Sequence, residues 1–162
     1  MKQGNARSLC LAAAVAALYA GLTFLSSALG LAYGPVQFRL GEALCLLPFL
    51  YPWAGWGLVG GCLLSNLLSP YGLLDLIFGT LSTALATWLS RHARNKWLAA
   101  LPPVLCNMLI VSAVIAYEQT GFAAAFTGLF FYNAATIGLG EAAVCFLLGV
   151  PLLTWLEKQE KK

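Results

Sequence analysis

Charge is the scarcest commodity in this sequence. Asp, Glu, Lys and Arg make up 9% of the 162 residues, while apolar types reach 60%. A typical soluble domain carries about 25% charged residues, and a monomer in water has no way to hide this much apolar surface. Histidine occurs once, at position 92, inside the basic run RHARNK. The five cysteines, Cys10, Cys45, Cys62, Cys106 and Cys145, stand singly with no C-x-x-C pair. A metal site and a disulfide framework therefore both lack their ligands, and the cysteines read as small buried apolar side chains. There is no G-x-x-x-x-G-K-[ST], no H-E-x-x-H and no Ser/His/Asp set. The chain thus has no phosphate cradle of its own and no hydrolase constellation. The alternating ten-residue segments of a membrane barrel are missing too. The net charge of +3 comes from short loops and tails, which fits membrane-flanking turns and not a nucleic-acid surface.

What is present is a series of apolar runs. The sequence predicts an all-α integral membrane protein, one six-helix domain over residues 1–162, because helices satisfy their own backbone groups in hydrocarbon. The expected spans are about 8–31, 40–51, 54–68, 72–90, 97–117 and 127–156. The first, preceded by Lys2 and Arg7, is long enough to span and reads as a retained helix, not a cleaved leader. Residues 40–68 are ambiguous, either one kinked helix or two short ones parted by Tyr51-Pro52-Trp53. Charge favours two. With six passes and both termini in the cytoplasm, only Arg39 of the nine basic residues faces outward, as the positive-inside bias requires. Pro48, Pro52, Gly55, Gly57, Gly60 and Gly61 crowd this region; they serve either close packing or a broken-helix site. In the first helix Ala12, Ala16 and Ala20 repeat every four residues, as do Ala13, Ala17 and Gly21. Such stripes admit a neighbouring helix, inside the bundle or on another subunit.

Ionisable residues inside an apolar bundle cost about 2.5–3.5 kcal/mol each at mid-membrane and usually face its interior. In this topology Arg39, Glu42, Asn66, Asp75, Glu118 and Asn133 fall in the outer half, with Asn107 and Glu141 nearer mid-depth. Only Glu157 and Glu160 of the six acidic residues are cytoplasmic. Some have plain alternatives. Asp75 suits the first turn of a helix by its charge, Glu118 suits a solvated loop, and Arg39 and Glu42 are spaced for an i, i+3 ion pair. Glu141, in GLGEAAVCFLLG, has apolar neighbours on both sides and no such alternative. The pattern points to a carboxylate-rich pocket open to the outside, on a subunit that borrows its energy from a partner.

Four stretches, AYGPVQFRLGEALCLLPF (32–49), SNLLSPYGLLDLIFGTLST (65–83), LPPVLCNMLIV (101–111) and GLGEAAVCFLLGVPLL (138–153), resemble the QueT family in order and spacing. That family comprises substrate-binding (S) components of energy-coupling factor (ECF) transporters for queuosine precursors. The resemblance implies a six-helix bundle with an outward pocket, a transmembrane coupling subunit and two ATPase subunits as partners, and a bacterial plasma membrane location. It implies no cofactor and no enzymatic turnover. It further implies that the S component topples in the membrane, and that Ala12, Ala13, Ala16, Ala17 and Ala20 dock the coupling subunit. The implied ligand is a 7-deazapurine such as 7-aminomethyl-7-deazaguanine or queuine. Its guanine edge presents N1–H and a 2-amino donor pair to one carboxylate. Its ammonium suits a second carboxylate or an aromatic face, and its 6-oxo group accepts from an amide or guanidinium. Glu141, Asn107, Glu42, Arg39, Asp75, Asn66 and Tyr71 supply such a set, with Glu141 and Asn107 expected on the guanine edge and Glu42 or Asp75 on the ammonium. The same carboxylates would suit another vitamin-like cation such as thiamine. A structural assembly protein, the reading from another class, leaves them unexplained.

Overall fold

The computed structural model describes residues 3–33 and 36–161. Lys2 and Lys162, both counted in the charge argument, lie outside the described residues, as do Gly34 and Pro35 of the first motif. Every described element is a helix. Helix α1 covers Gln3–Ala28. A 3₁₀ helix follows over Leu40–Phe49, then α2 over Ala54–Asn66. Helices α3 (Gly72–Arg91), α4 (Lys96–Thr120) and α5 (Phe126–Glu160) complete the chain. Four of these, α1, α3, α4 and α5, are long and apolar enough to cross a membrane. The two elements from the ambiguous region are shorter, and they are separate.

The 3₁₀ helix is the axis of the bundle. Every residue from Gly41 to Pro48 is buried, and all five α-helices pack against it. A segment apolar but for Glu42 and buried on every side belongs in a core. Ten residues are a long run for a 3₁₀ helix; at about 2.0 Å per residue they cover about 20 Å, against about 15 Å as an α-helix.

Helices α1 and α2 cross at near-backbone contact. A Cβ at Gly57 would lie 2.2 Å from the Ala12 carbonyl oxygen, and one at Gly61 would lie 2.7 Å from that of Ala16. This is small-xxx-small packing, and it divides the two alanine stripes of α1. Ala12 and Ala20 are buried and Ala16 half-buried, while Ala13 and Ala17 are exposed. Ala12 and Ala16 are therefore spent inside the bundle on α2. Cys45, Cys62, Cys106 and Cys145 are buried free thiols as expected, whereas Cys10 is exposed on the apolar outer face of α1.

The bundle has two unlike ends. One gathers the turns at 50–53 and 92–95 and the C-terminal turns; there Lys96 Nζ meets Glu157 Oε2 at 3.0 Å and Ser90 donates to the Ala99 carbonyl. The other gathers residues 29–33 and 36–39 and the loops 67–71 and 121–125. Helix α4 stops there at Gly121, whose φ of +58° is unfavourable for residues with a side chain.

Candidate functional site

The second end covers a buried polar cluster. Arg39, Glu42, Asn66, Asp75, Asn107 and Glu141 are each 3% exposed or less, and Tyr71 is half-buried at the edge. Three of the carriers are positioned by π-turns: Asp75 opens one over Asp75–Gly79, Asn107 opens one over Asn107–Val111, and Glu141 precedes one over Cys145–Gly149 by a turn. A π-turn shifts the side-chain register of its helix, and such turns concentrate at functional sites.

The cluster has two layers. In the layer nearer the loops, Arg39 Nη2 stands 3.5 Å from Asp75 Oδ2, and Arg39 Nε donates to the Ala32 carbonyl at 3.5 Å. The guanidinium carbon lies 5.1 Å from the centre of the Tyr33 ring, a cation–π distance. Ser69 donates to Asp75 Oδ2 at 2.5 Å, and Asn66 Nδ2 donates to the Asp75 carbonyl at 3.2 Å. Tyr33 and Tyr71 meet edge to face at 6.3 Å. Burial pushes the Tyr33 phenol above its ordinary pKa against the pull of Arg39, so at neutral pH it remains an O–H donor.

In the deeper layer Tyr19 donates to Glu42 Oε1 at 2.5 Å and the Cys45 thiol to Oε2 at 3.0 Å. Ser82 donates to Asn107 Oδ1 at 2.7 Å, and the Asn107 amide lies against Glu141. The i, i+3 ion pair between Arg39 and Glu42 does not form. Arg39 precedes the 3₁₀ helix in extended conformation, with ψ of 99°, so its side chain leaves towards α3 and finds Asp75, while Glu42 turns to α1 and Tyr19.

Several buried polar atoms of the cluster make no hydrogen bond: Arg39 Nη2, Asn66 Oδ1, Asp75 Oδ1, Asn133 Nδ2 and Glu141 Oε2. An unsatisfied buried polar atom costs about 1–3 kcal/mol, more if charged, and native structures contain few. Three of these are acceptors and two are donors, a complementary set for a polar ligand. Asn133 also lines a cavity of about 280 Å³, together with Tyr33, Gln37, Tyr71 and Ile137 among others, close to the lower bound for ligand pockets. Asn133, Ile137 and Glu141 lie four residues apart on one face of α5, so the cavity wall leads down to Glu141. Val111, Ile115 and Ile137, with Tyr71, form an apolar layer at that depth.

The structure brings Arg39, Asn66 and Asp75 together in one layer and Glu42, Asn107 and Glu141 in the other. Glu118 is exposed and apart from both. Sequence reasoning missed Tyr19, Gln37, Tyr33, Ser69 and Ser82. Tyr19 had a signal, since it shares a helical face with Ala12 and Ala16; Gln37 and Tyr33 stood in the first motif itself. No group of three His, Cys, Asp or Glu side chains suited to a metal occurs among the described residues.

Long apolar helices wrapped around a buried, under-bonded polar cluster are the architecture of a membrane transport protein. The chain belongs to the QueT transporter family, whose profile matches residues 9–158, bearing out the resemblance carried by the four motifs. Over 83 residues it is 37% identical to the Queuosine precursor transporter QueT of Lactococcus lactis subsp. cremoris (strain MG1363). That alignment covers 51% of this chain and 48% of the relative, so the chain spans about half the length of the curated relative it matches. No solved structure matches it.

Proposed function

We propose that this chain is the substrate-binding (S) component of an ECF-type ABC transporter that imports a queuosine precursor. ATP hydrolysis on partner subunits drives transport: a transmembrane coupling subunit and two ATPase subunits complete the assembly. The chain crosses a bacterial plasma membrane six times with both termini in the cytoplasm. The end bearing Arg7, Arg91, Arg94, Lys96, Lys158 and Lys161 faces inward, in keeping with the positive-inside bias, and the polar cluster faces outward.

The orphaned polar atoms at this end of the bundle, one of them on Asn133 in the wall of the 280 Å³ cavity, are the observation that carries this reading. Glu42 has both carboxylate oxygens occupied by Tyr19 and Cys45, which favours Asp75 over Glu42 for the ammonium of 7-aminomethyl-7-deazaguanine. Glu141 Oε2 is the open acceptor for the N1–H and 2-amino edge, with Asn107 beside it. Asn133 Nδ2 is the open donor for the 6-oxo group, and Arg39 Nη2, ion-paired with Asp75 but without a hydrogen bond, is a second donor. Tyr33 and Tyr71 offer faces to the flat ring. The family and the named relative support the substrate class.

Calorimetry on the detergent-solubilised protein tests this, with 7-aminomethyl-7-deazaguanine as ligand, queuine and thiamine as competitors, and Glu141→Gln as control. Submicromolar binding that Glu141→Gln loses supports the assignment. A folded protein that binds none of the three overturns it, and a preference for thiamine moves the chain to another vitamin-like substrate.

A further inference from the structure

The five tryptophans, Trp53, Trp56, Trp88, Trp97 and Trp155, all lie at the end of the bundle that carries the basic turns. Tryptophan and cations together mark a membrane–water boundary. Between α2 and α3 at this end lies a groove of about 210 Å³ whose floor is Pro48, Pro52 and Gly55. Two prolines contribute no backbone N–H. The Thr87 hydroxyl in its wall is already donated to the Thr83 and Ala84 carbonyls. The one charged group at the groove is Arg91, which is exposed and forms no ion pair among the described residues, in contrast to Lys96 on Glu157.

The groove is amphipathic along its length. Arg91, Trp56, 82% exposed, and Trp88, 59% exposed, line its end nearest the basic turns. Inward from that end, Val59 and Ala84 line it. Leu63 and Leu81, both exposed, extend the same faces of α2 and α3 by one further turn. At 1.5 Å per residue, Leu81 to Arg91 is a track of about 15 Å. A single fixed cation at the boundary above a narrow apolar track matches one phosphodiester with an acyl chain below it. Basic pockets between helices at the cytoplasmic boundary take anionic lipid headgroups by this chemistry.

We infer that the α2–α3 groove holds one anionic phospholipid, its phosphate on the Arg91 guanidinium and an acyl chain along Trp56, Val59, Ala84 and Trp88. The guanidinium pairs with phosphate oxygens by charge-assisted hydrogen bonds, and the flanking indoles screen that pair from water. The site is separate from the polar cluster at the other end and stands whatever ligand the cluster takes.

Native mass spectrometry of the full chain in neutral detergent, titrated with phosphatidylglycerol or phosphatidylcholine, tests the inference. One phosphatidylglycerol is retained per chain, about tenfold more tightly than phosphatidylcholine. Arg91→Gln loses that preference, Arg91→Lys keeps most of it, and Lys158→Gln, outside the groove, leaves it unchanged. Glycerol phosphate without acyl chains does not compete. Equal retention of the two lipids, undiminished retention by Arg91→Gln, or full competition by glycerol phosphate each overturns the lipid assignment, and the first two leave the groove to a protein partner. Thermal melts of each variant establish that it is folded before its binding is read.

Discussion

Tyr19 and Glu42 are joined by a 2.5 Å hydrogen bond across 23 residues of sequence, and both are almost wholly buried. The bond ties α1 to the central 3₁₀ helix at the depth of the polar cluster. Removing the phenol oxygen leaves Glu42 Oε1 without its donor, at a cost of about 1–3 kcal/mol. Tyr19→Phe is therefore expected to melt at a lower temperature than the parent protein while losing less ligand affinity than Glu141→Gln. Parallel thermal melts and calorimetry decide it. A Tyr19→Phe protein as stable as the parent would show that the bond holds nothing together.

Glu141 and Asp75 each keep one unsatisfied oxygen. A hydrogen bond to a charged group contributes about 1.5–3 kcal/mol, so Glu141→Gln and Asp75→Asn are each expected to weaken binding by roughly ten- to a hundredfold. Glu118→Gln, on the exposed turn, is expected to bind as the parent does. Calorimetric titration of the three variants against one ligand separates the site from the general acidity of the outer end.

Gly57 and Gly60 make a matched pair on α2. A Cβ at position 57 runs into the Ala12 backbone, and one at position 60 meets nothing within 4 Å. Gly57→Ala is expected to cost about 1–3 kcal/mol by overpacking. Gly60→Ala should be neutral or stabilising by about 0.5–1 kcal/mol, because alanine suits a helix interior better than glycine. Denaturation of both variants in the same detergent checks the sign of the difference.

Gly140 allows the loop before the 3₁₀ helix to rest on α5, for a Cβ there would lie 2.0 Å from the Gln37 carbonyl oxygen. Gly140→Ala must displace either α5 or that loop. Gln37 and Tyr33 line the cavity, so the substitution is expected to reduce ligand affinity at least tenfold although no ligand-contacting side chain has changed. Unaltered affinity in a folded Gly140→Ala protein would detach the loop from the site.

Much of the candidate site was legible because charge inside an apolar chain stands out. Glu141, Asn107, Asp75, Asn66, Arg39 and Glu42 could be picked one by one, and all six are buried in the polar cluster. Their pairings could not be read. Arg39 has Glu42 three residues away and Asp75 thirty-six away, and it meets Asp75 because an extended residue before the 3₁₀ helix turns its side chain aside. The inward direction of the Ala12 stripe was equally hidden, since it depends on Gly57 and Gly61 in another helix. That Leu40–Phe49 would be a 3₁₀ helix enclosed from Gly41 to Pro48 was also beyond the pattern, because a short, mostly apolar run reads alike whether lipid or protein surrounds it. Tyr19 and Ser82 were passed over as ordinary helix residues; only their partners, Glu42 and Asn107, reveal what their hydroxyls do.

The central 3₁₀ helix also bears on how the chain is made. One wall of it is supplied from more than a hundred residues downstream: Cys145 reaches the Glu42 carbonyl, and a Cβ on Gly149 would press against the Ala43 carbonyl and Leu46. The ribosome releases residues 40–49 long before it has built that wall. The central helix must wait, incompletely covered, for helix α5 to arrive, and a chain cut short before residue 145 has no finished core to fall back on.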